Sequence, residues 1–187
     1  MSKLETNTID TVSGTTNLTI GSTNTSTITV PNGKLTGQNY PAFEAFLSSD
    51  QNLTDSTYTK LQFDTKGFDT DNCYDNSTNY RFTPTVAGKY LVYGAMEGEA
   101  AGTNTMYRVI LAIYKNGSSV ARIYQYPSTS APSNHQSLNI SRTIDMNGTS
   151  DYLEIFGYVD PTSSNQGRAE SSSTDLRTYF GAYRIGA

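Results

Sequence analysis

Few residues in this 187-residue chain have the chemistry of a reactive site. It holds one histidine, His135, and one cysteine, Cys73. A cysteine nucleophile needs a base within hydrogen-bond reach, and neither residue lies in a local sequence typical of a cysteine hydrolase. His135 falls in the Ser/Pro/Asn-rich stretch Pro127 to Ser137 and reads as a loop histidine; Cys73 reads as a small buried thiol. A lone cysteine also excludes an intrachain disulfide and a four-thiolate metal site. Glu97 and Glu99 stand two apart, so a strand would place them on one side, as paired glycosidase carboxylates require. Gly94, Gly98 and Gly102 surround them and favour a solvated loop. No glycine-rich phosphate-binding turn leads into a helix. No catalytic residue is expected.

The densest set of ligand-type side chains is Asp69-Thr70-Asp71-Asn72-Cys73-Tyr74-Asp75. Closely spaced carboxylates suit Ca²⁺, a hard ion that takes oxygen ligands. The run is not an EF-hand loop: counted from Asp69, the sixth residue is Tyr74 instead of Gly and the twelfth is Tyr80 instead of Glu. Asp side chains also bond the backbone of their own turns. A turn-forming cluster is the favoured reading, with a Ca²⁺ site on Asp69, Asp71 and Asp75 as the alternative. No other cofactor is expected.

Charge narrows the partners. The 13 basic residues are scattered singly through a chain of net charge -4, without the clustered footprint that binding to nucleic-acid phosphates requires. The first residues, Met1-Ser2-Lys3-Leu4-Glu5-Thr6-Asn7, contain no apolar run of the roughly 7–15 residues that a secretory signal uses. Neither export by a signal peptide nor a membrane anchor is expected.

The elements that would position these residues are strands. Thr, Ser and Asn dominate the composition, with 15 Gly and 14 Tyr, and charged residues make up only 16%. That mixture favours strands and turns. Its distribution is uneven: every Tyr and Phe lies at position 40 or beyond. The chain is therefore expected to divide into an extended Thr/Asn-rich arm, residues 1–37, and a head, residues 38–187. In the arm, Leu18 and Ile20, then Ile28 and Val30, alternate with Thr as in short strands. So little apolar surface does not offset ordering entropy, so the arm is expected to be held by neighbouring copies of the chain or by a different protein in an assembly.

In the head, Met106 to Tyr114 carries Tyr107, Val109, Leu111 and Ile113 on one face and Arg108, Ile110 and Ala112 on the other. Two apolar faces predict a strand buried on both sides. It meets Lys115-Asn116-Gly117, where Asn-Gly supplies the positive φ angles of a tight hairpin, and returns along Val120 to Tyr126. Further strands are predicted at Leu61 to Phe63, Tyr80 to Thr83, Lys89 to Met96, Leu138 to Ile144, Tyr152 to Val159 and Thr178 to Ile185. Eight or more short strands without helical periodicity predict an all-β, two-sheet jelly-roll sandwich. Tyr152, Phe156 and Tyr158 share one strand face, and Tyr179 and Tyr183 repeat the theme on the last strand. Exposed aromatic rows mark interfaces. With Tyr107, these five are the expected self-association residues.

The order of certain motifs adds a resemblance. From Tyr40 to Ala187 the sequence resembles the globular head of complement component one, subcomponent q, a branch of the tumour-necrosis-factor-like jelly rolls. The matching pieces are Ala42-Phe43, Leu61-Gln62-Phe63-Asp64, Tyr74-Asp75, Tyr80-Arg81-Phe82-Thr83-Pro84, Val86-Ala87-Gly88-Lys89-Tyr90, Lys115-Asn116-Gly117 and Phe180-Gly181-Ala182-Tyr183. The resemblance implies a homotrimer packed through one sheet. The collagen-like stalk of secreted relatives is missing, and the Thr/Asn-rich arm resembles N-terminal segments of bacteriophage virion proteins. The expected role is therefore non-enzymatic: a homotrimeric capsid decoration, knob or short fibre on the virion surface, docked onto another virion protein through residues 1–37. The alternative is a tail-fibre head that recognises a host surface glycan or protein through Tyr124, Tyr126 and the loop Ser128 to Gln136.

Overall fold

A computed structural model describes residues 40–101, 105–128, 130, 132–162, 166–172 and 174–186. All belong to the unit Asn39–Ala187; the expected arm residues Leu18, Ile20, Ile28 and Val30 lie outside the described residues. In chain order the strands are β1 (Ala42–Phe46), β2 (Gln51–Leu53), β3 (Thr59–Lys60), β4 (Thr65–Asp69), β5 (Tyr74–Asp75), β6 (Arg81–Phe82) and β7 (Gly88–Ala100). They continue with β8 (Met106–Lys115), β9 (Ser118–Gln125), β10 (His135–Met146), β11 (Leu153–Pro161), β12 (Gly167–Ala169) and β13 (Tyr179–Gly186). No helix occurs among the described residues.

The strands form two antiparallel sheets. In the seven-stranded sheet β7 is the spine: β10 pairs along one edge, while β13 and then β12 occupy the other, with β1 and β4 beyond β13 and β2 beyond β12. The six-stranded sheet runs β5-β6-β11-β8-β9, with β3 also on β11. Alternate residues of each strand meet between the sheets, as strand pleating requires. Phe43, Phe63, Phe82, Tyr90 and Phe180 are fully buried there. The Phe43 ring stacks on Phe82 at 4.5 Å and on Tyr74 at 4.6 Å, and meets the edge of Phe180 at 4.8 Å. Gly98 lets the sheets close at one end, since a Cβ there would stand 2.8 Å from Val109 Cγ2.

Most predicted strands are present, several with longer ends. Met106 to Tyr114 is buried on both faces as expected, Val109, Leu111 and Ile113 on one side and Ile110 and Ala112 on the other. The Asn-Gly hairpin is formed, with φ of 52° at Asn116 and 78° at Gly117. Leu61 to Phe63 is not a strand. Leu61 and Phe63 are buried; Leu61 N donates to Ile155 O, while Gln62 N and the Phe63 carbonyl bond the side chains of Gln51 and Tyr74, so this stretch supplies core side chains from an irregular backbone.

Candidate interaction face

The outward face of the seven-stranded sheet is built by cross-strand rows. Phe46 lies opposite Tyr179, and Tyr179 opposite Ala95; Glu44 lies opposite Gly181, and Gly181 opposite Tyr93; Tyr183 lies opposite Leu91. Each has the parity opposite to the core residues Phe43, Val92, Phe180 and Ala182, so all point away from the sandwich. The Tyr93 ring lies over Gly181, where a Cβ would stand 2.3 Å from it, and sits 6.3 Å from Tyr179 and 6.5 Å from Tyr183. Its hydroxyl donates to Glu44 Oε2 at 2.9 Å. Burial and the neighbouring carboxylate push the Tyr93 phenol well above its usual range, so it stays a donor. Tyr183 is 43% exposed and Ile185 50%. One end of the face is thus apolar and aromatic, with the polar hydroxyl of Tyr93 held inside it.

The opposite end is charged. Glu97 and Glu99 follow Tyr93 and Ala95 on the same side of β7, His135 is paired with Glu99 across the ladder, and Arg168 is paired with Glu99 from β12. Arg177 Nη1 lies 2.9 Å from Glu170 Oε2 and 3.3 Å from Glu97 Oε2, and Arg168 pairs with Glu99. This corrects two expectations. Glu97 and Glu99 belong to a strand, not a solvated loop, and Glu99 is only 6% exposed. His135 opens a strand amid three carboxylates. The glycines beside the glutamates suggested a solvated loop; Gly94 and Gly98 instead mark where the second sheet approaches β7, at Ile155 and Val109. Glu170 and Arg177, distant in sequence, carried no signal of their own.

The six residues expected to mediate self-association do not share a surface. Tyr179 and Tyr183 lie on the face just described. Tyr152, Phe156 and Tyr158 point outward from the six-stranded sheet, since Leu153, Ile155 and Val159 of the same strand fill the core. There, much of their area is used within one chain. Phe156 packs on Tyr114 at 4.2 Å, Tyr58 sits 5.2 Å from Tyr158, and the guanidinium groups of Arg81 and Arg108 lie over Tyr152 and Tyr158 at 4.5 and 4.7 Å. Phe156 and Tyr158 stand opposite Ala112 and Ile110, so these rings cover the second apolar face of β8. Tyr107 is at the end of β8 and 57% exposed. Tyr124 and Tyr126 are exposed near the end of β9, with Arg122 over the Tyr124 ring at 5.7 Å.

The structure does not gather Asp69, Asp71 and Asp75 around one point. Asp69 Oδ1 accepts from Cys73 N at 2.9 Å, and Oδ2 from Tyr74 N and from Lys66 Nζ, both at 3.1 Å. The Lys66 ammonium also lies 3.2 Å from Asn72 Oδ1 and 3.4 Å from the Tyr74 carbonyl. The Lys66 ammonium thus pairs with Asp69 and with two neutral oxygens of this loop. The Asp71 carbonyl accepts from Cys73 Sγ. Asp75 turns away and accepts from the backbone N–H groups of Ser77, Thr78 and Asn79, which hold its carboxyl well below the usual carboxylate range. The Asx-turn reading accounts for these bonds. Burial pushes the Cys73 thiol up, which weakens it as a nucleophile.

No family profile and no curated protein matches the sequence. Solved structures do resemble it. Murine APRIL at pH 5.0 superposes with a TM-score of 0.56 at 8% identity, over 79% of this chain and 100% of that one. The Eiger TNF of S. frugiperda gives 0.52 at 9% identity, over 79% and 92%. The globular domain of zebrafish complement 1qA gives 0.49 at 14% identity, over 76% and 93%. At such identities the likeness is one of fold, and the first two establish it: an all-β jelly-roll sandwich of the tumour-necrosis-factor-like kind.

Proposed function

We propose that the protein is a non-enzymatic structural head that associates as a homotrimer through the outward face of its seven-stranded sheet. The observation that carries this reading is the apolar row of Phe46, Leu91, Tyr93, Tyr179, Tyr183 and Ile185 on a sheet whose other face already fills the core. Aromatic residues of this kind contribute large contact area at low entropic cost. The motif resemblance implies a trimer packed through one sheet; the open Tyr183 and Ile185 favour this one over the sheet on which Tyr152, Phe156 and Tyr158 pack within their own chain. We further propose a place on the surface of a virion, as a capsid decoration or short fibre. Support comes from residues 1–37, an aromatic-free Thr/Asn-rich stretch whose Leu18, Ile20, Ile28 and Val30 alternate as strand-addition segments do.

A second reading, recognition of a host glycan or surface protein, draws on the exposed Tyr124 and Tyr126 beside Arg122. Imaging of tagged protein on intact particles separates the two: regular sites on the shell favour the structural role, and tail tips favour recognition. Deleting residues 1–37 is expected to leave a folded trimer that no longer attaches to particles. Retained attachment would show that the head docks instead.

A further inference from the structure

We propose that Glu97, His135 and Glu170 form a binding site for a divalent first-row transition ion of the Zn²⁺ type. Their ligand atoms all lie within 4.8 Å of one another. His135 Nδ1 faces two carboxylate oxygens, Glu97 Oε1 and Glu170 Oε2, each at 3.6 Å. That is too long for a hydrogen bond. Both His–Glu separations match those of atoms bound about 2.0–2.2 Å from a tetrahedral zinc, which stand roughly 3.3–3.6 Å apart. On a side chain that is 40% exposed, the Nδ1 atom of His135 is itself shielded from solvent and has no hydrogen-bond partner. An imidazole nitrogen that faces two carboxylates and hydrogen-bonds to neither is placed to share a cation with them.

The surroundings fit the same ion. The imidazole selects a transition metal over Ca²⁺. Glu99 Oε1 lies 3.9 Å from His135 Nε2, on the side where the N–H of a metal-bound imidazole needs a carboxylate acceptor. Arg177 approaches Glu97 through Oε2, which leaves Oε1 free, and it shares Glu170 Oε2 with the site. Arg168 engages Glu99. The three carboxylates Glu97, Glu99 and Glu170 exceed the charge of these two arginines, so a cation is electrostatically favoured. Three protein ligands leave a fourth position open to water. All three come from one chain, so the site does not rest on the oligomeric state.

Calorimetric titration of Zn²⁺ into the chelator-treated full chain tests this, with one ion per chain expected. His135→Gln and Glu170→Gln should each weaken binding by more than the roughly 10- to 100-fold typical of an outer-shell partner. Asp71→Asn should leave it unchanged. Co²⁺ bound to the unmodified chain gives a readout independent of variant folding: intense visible bands of a tetrahedral N/O site are expected. No saturable Zn²⁺ binding, binding that survives both substitutions, or a sulfur-to-cobalt charge-transfer band indicating Cys73 would overturn the assignment.

Discussion

Asp151 shows how single side chains fix this fold. Its Oδ1 accepts from Asn116 Nδ2 at 2.7 Å, while Oδ2 accepts from Asn147 N at 3.0 Å and lies 2.8 Å from Lys115 Nζ. Asn147 Oδ1 in turn accepts from the backbone of Thr149, Ser150 and Asp151. One nearly buried carboxylate thus ties the Lys115-Asn116-Gly117 hairpin to the Asn147-Gly148 turn. The bonds from Lys115 and Asn116 hold its carboxyl below the usual carboxylate range. Asp151→Asn is expected to cost about 1–3 kcal/mol in urea unfolding at neutral pH. A depressed folded pKa contributes stability above the unfolded value of about 4, lost as pH falls through the folded one. The gap between wild type and Asp151→Asn should therefore narrow below about pH 4; an equal gap at pH 7 and pH 3 would exclude an ionic role. The importance of Lys115-Asn116-Gly117 was legible in the sequence. That of Asp151 was not, because Lys115 and Asn116 reach it only when the β8–β9 hairpin stands beside the β10–β11 connection.

At the scale of elements, the turns separate strain from crowding. Gly148 has φ of 71°, and a Cβ there would stand 2.2 Å from Ala87 N, against backbone that cannot yield. Gly117 has φ of 78° with only the Tyr152 hydroxyl nearby, at 3.7 Å. Gly117→Ala should therefore cost only the left-handed backbone penalty, about 1–2 kcal/mol. Gly148→Ala should cost clearly more in the same thermal-unfolding assay. Equal losses would mean that the β6–β7 connection moves away from Gly148 freely. Strands with strong alternation or an Asn-Gly stop, such as β8 and β9, were readable from pattern alone. β1 to β5 and β12 were missed: all but β1 are short or contain glycine and charge, and β1, β2, β3 and β12 pair with strands distant in sequence. Leu61 to Phe63 carried an alternating pattern because Leu61 and Phe63 both reach the core, which an irregular segment can achieve without ladder bonds. The Glu97 cluster was hidden for a similar reason. Its members come from β7, β10 and the chain just beyond β12, and only the register of the seven-stranded sheet brings them together.

For the whole molecule, the central claim is that the outward face of the seven-stranded sheet completes its burial in other copies of the chain. The two-sheet fold accounts for the low share of hydrophobic residues: one layer of side chains between sheets closes the core, and much of the Tyr content lies outside it. On the six-stranded sheet the outward rings Tyr152, Phe156 and Tyr158 pack with Tyr58, Tyr114, Arg81 and Arg108 of their own chain. On the seven-stranded sheet Tyr183 and Ile185 remain open. Replacing both with Ser should weaken association while leaving the unfolding transition of the isolated head cooperative, because neither contributes to the core. Light scattering on the full chain at micromolar concentration is the most direct test. A particle three times the 20.4 kDa chain mass is expected, reduced toward one chain by Tyr183→Ser with Ile185→Ser. A 20.4 kDa monomer in the unmodified protein would contradict it.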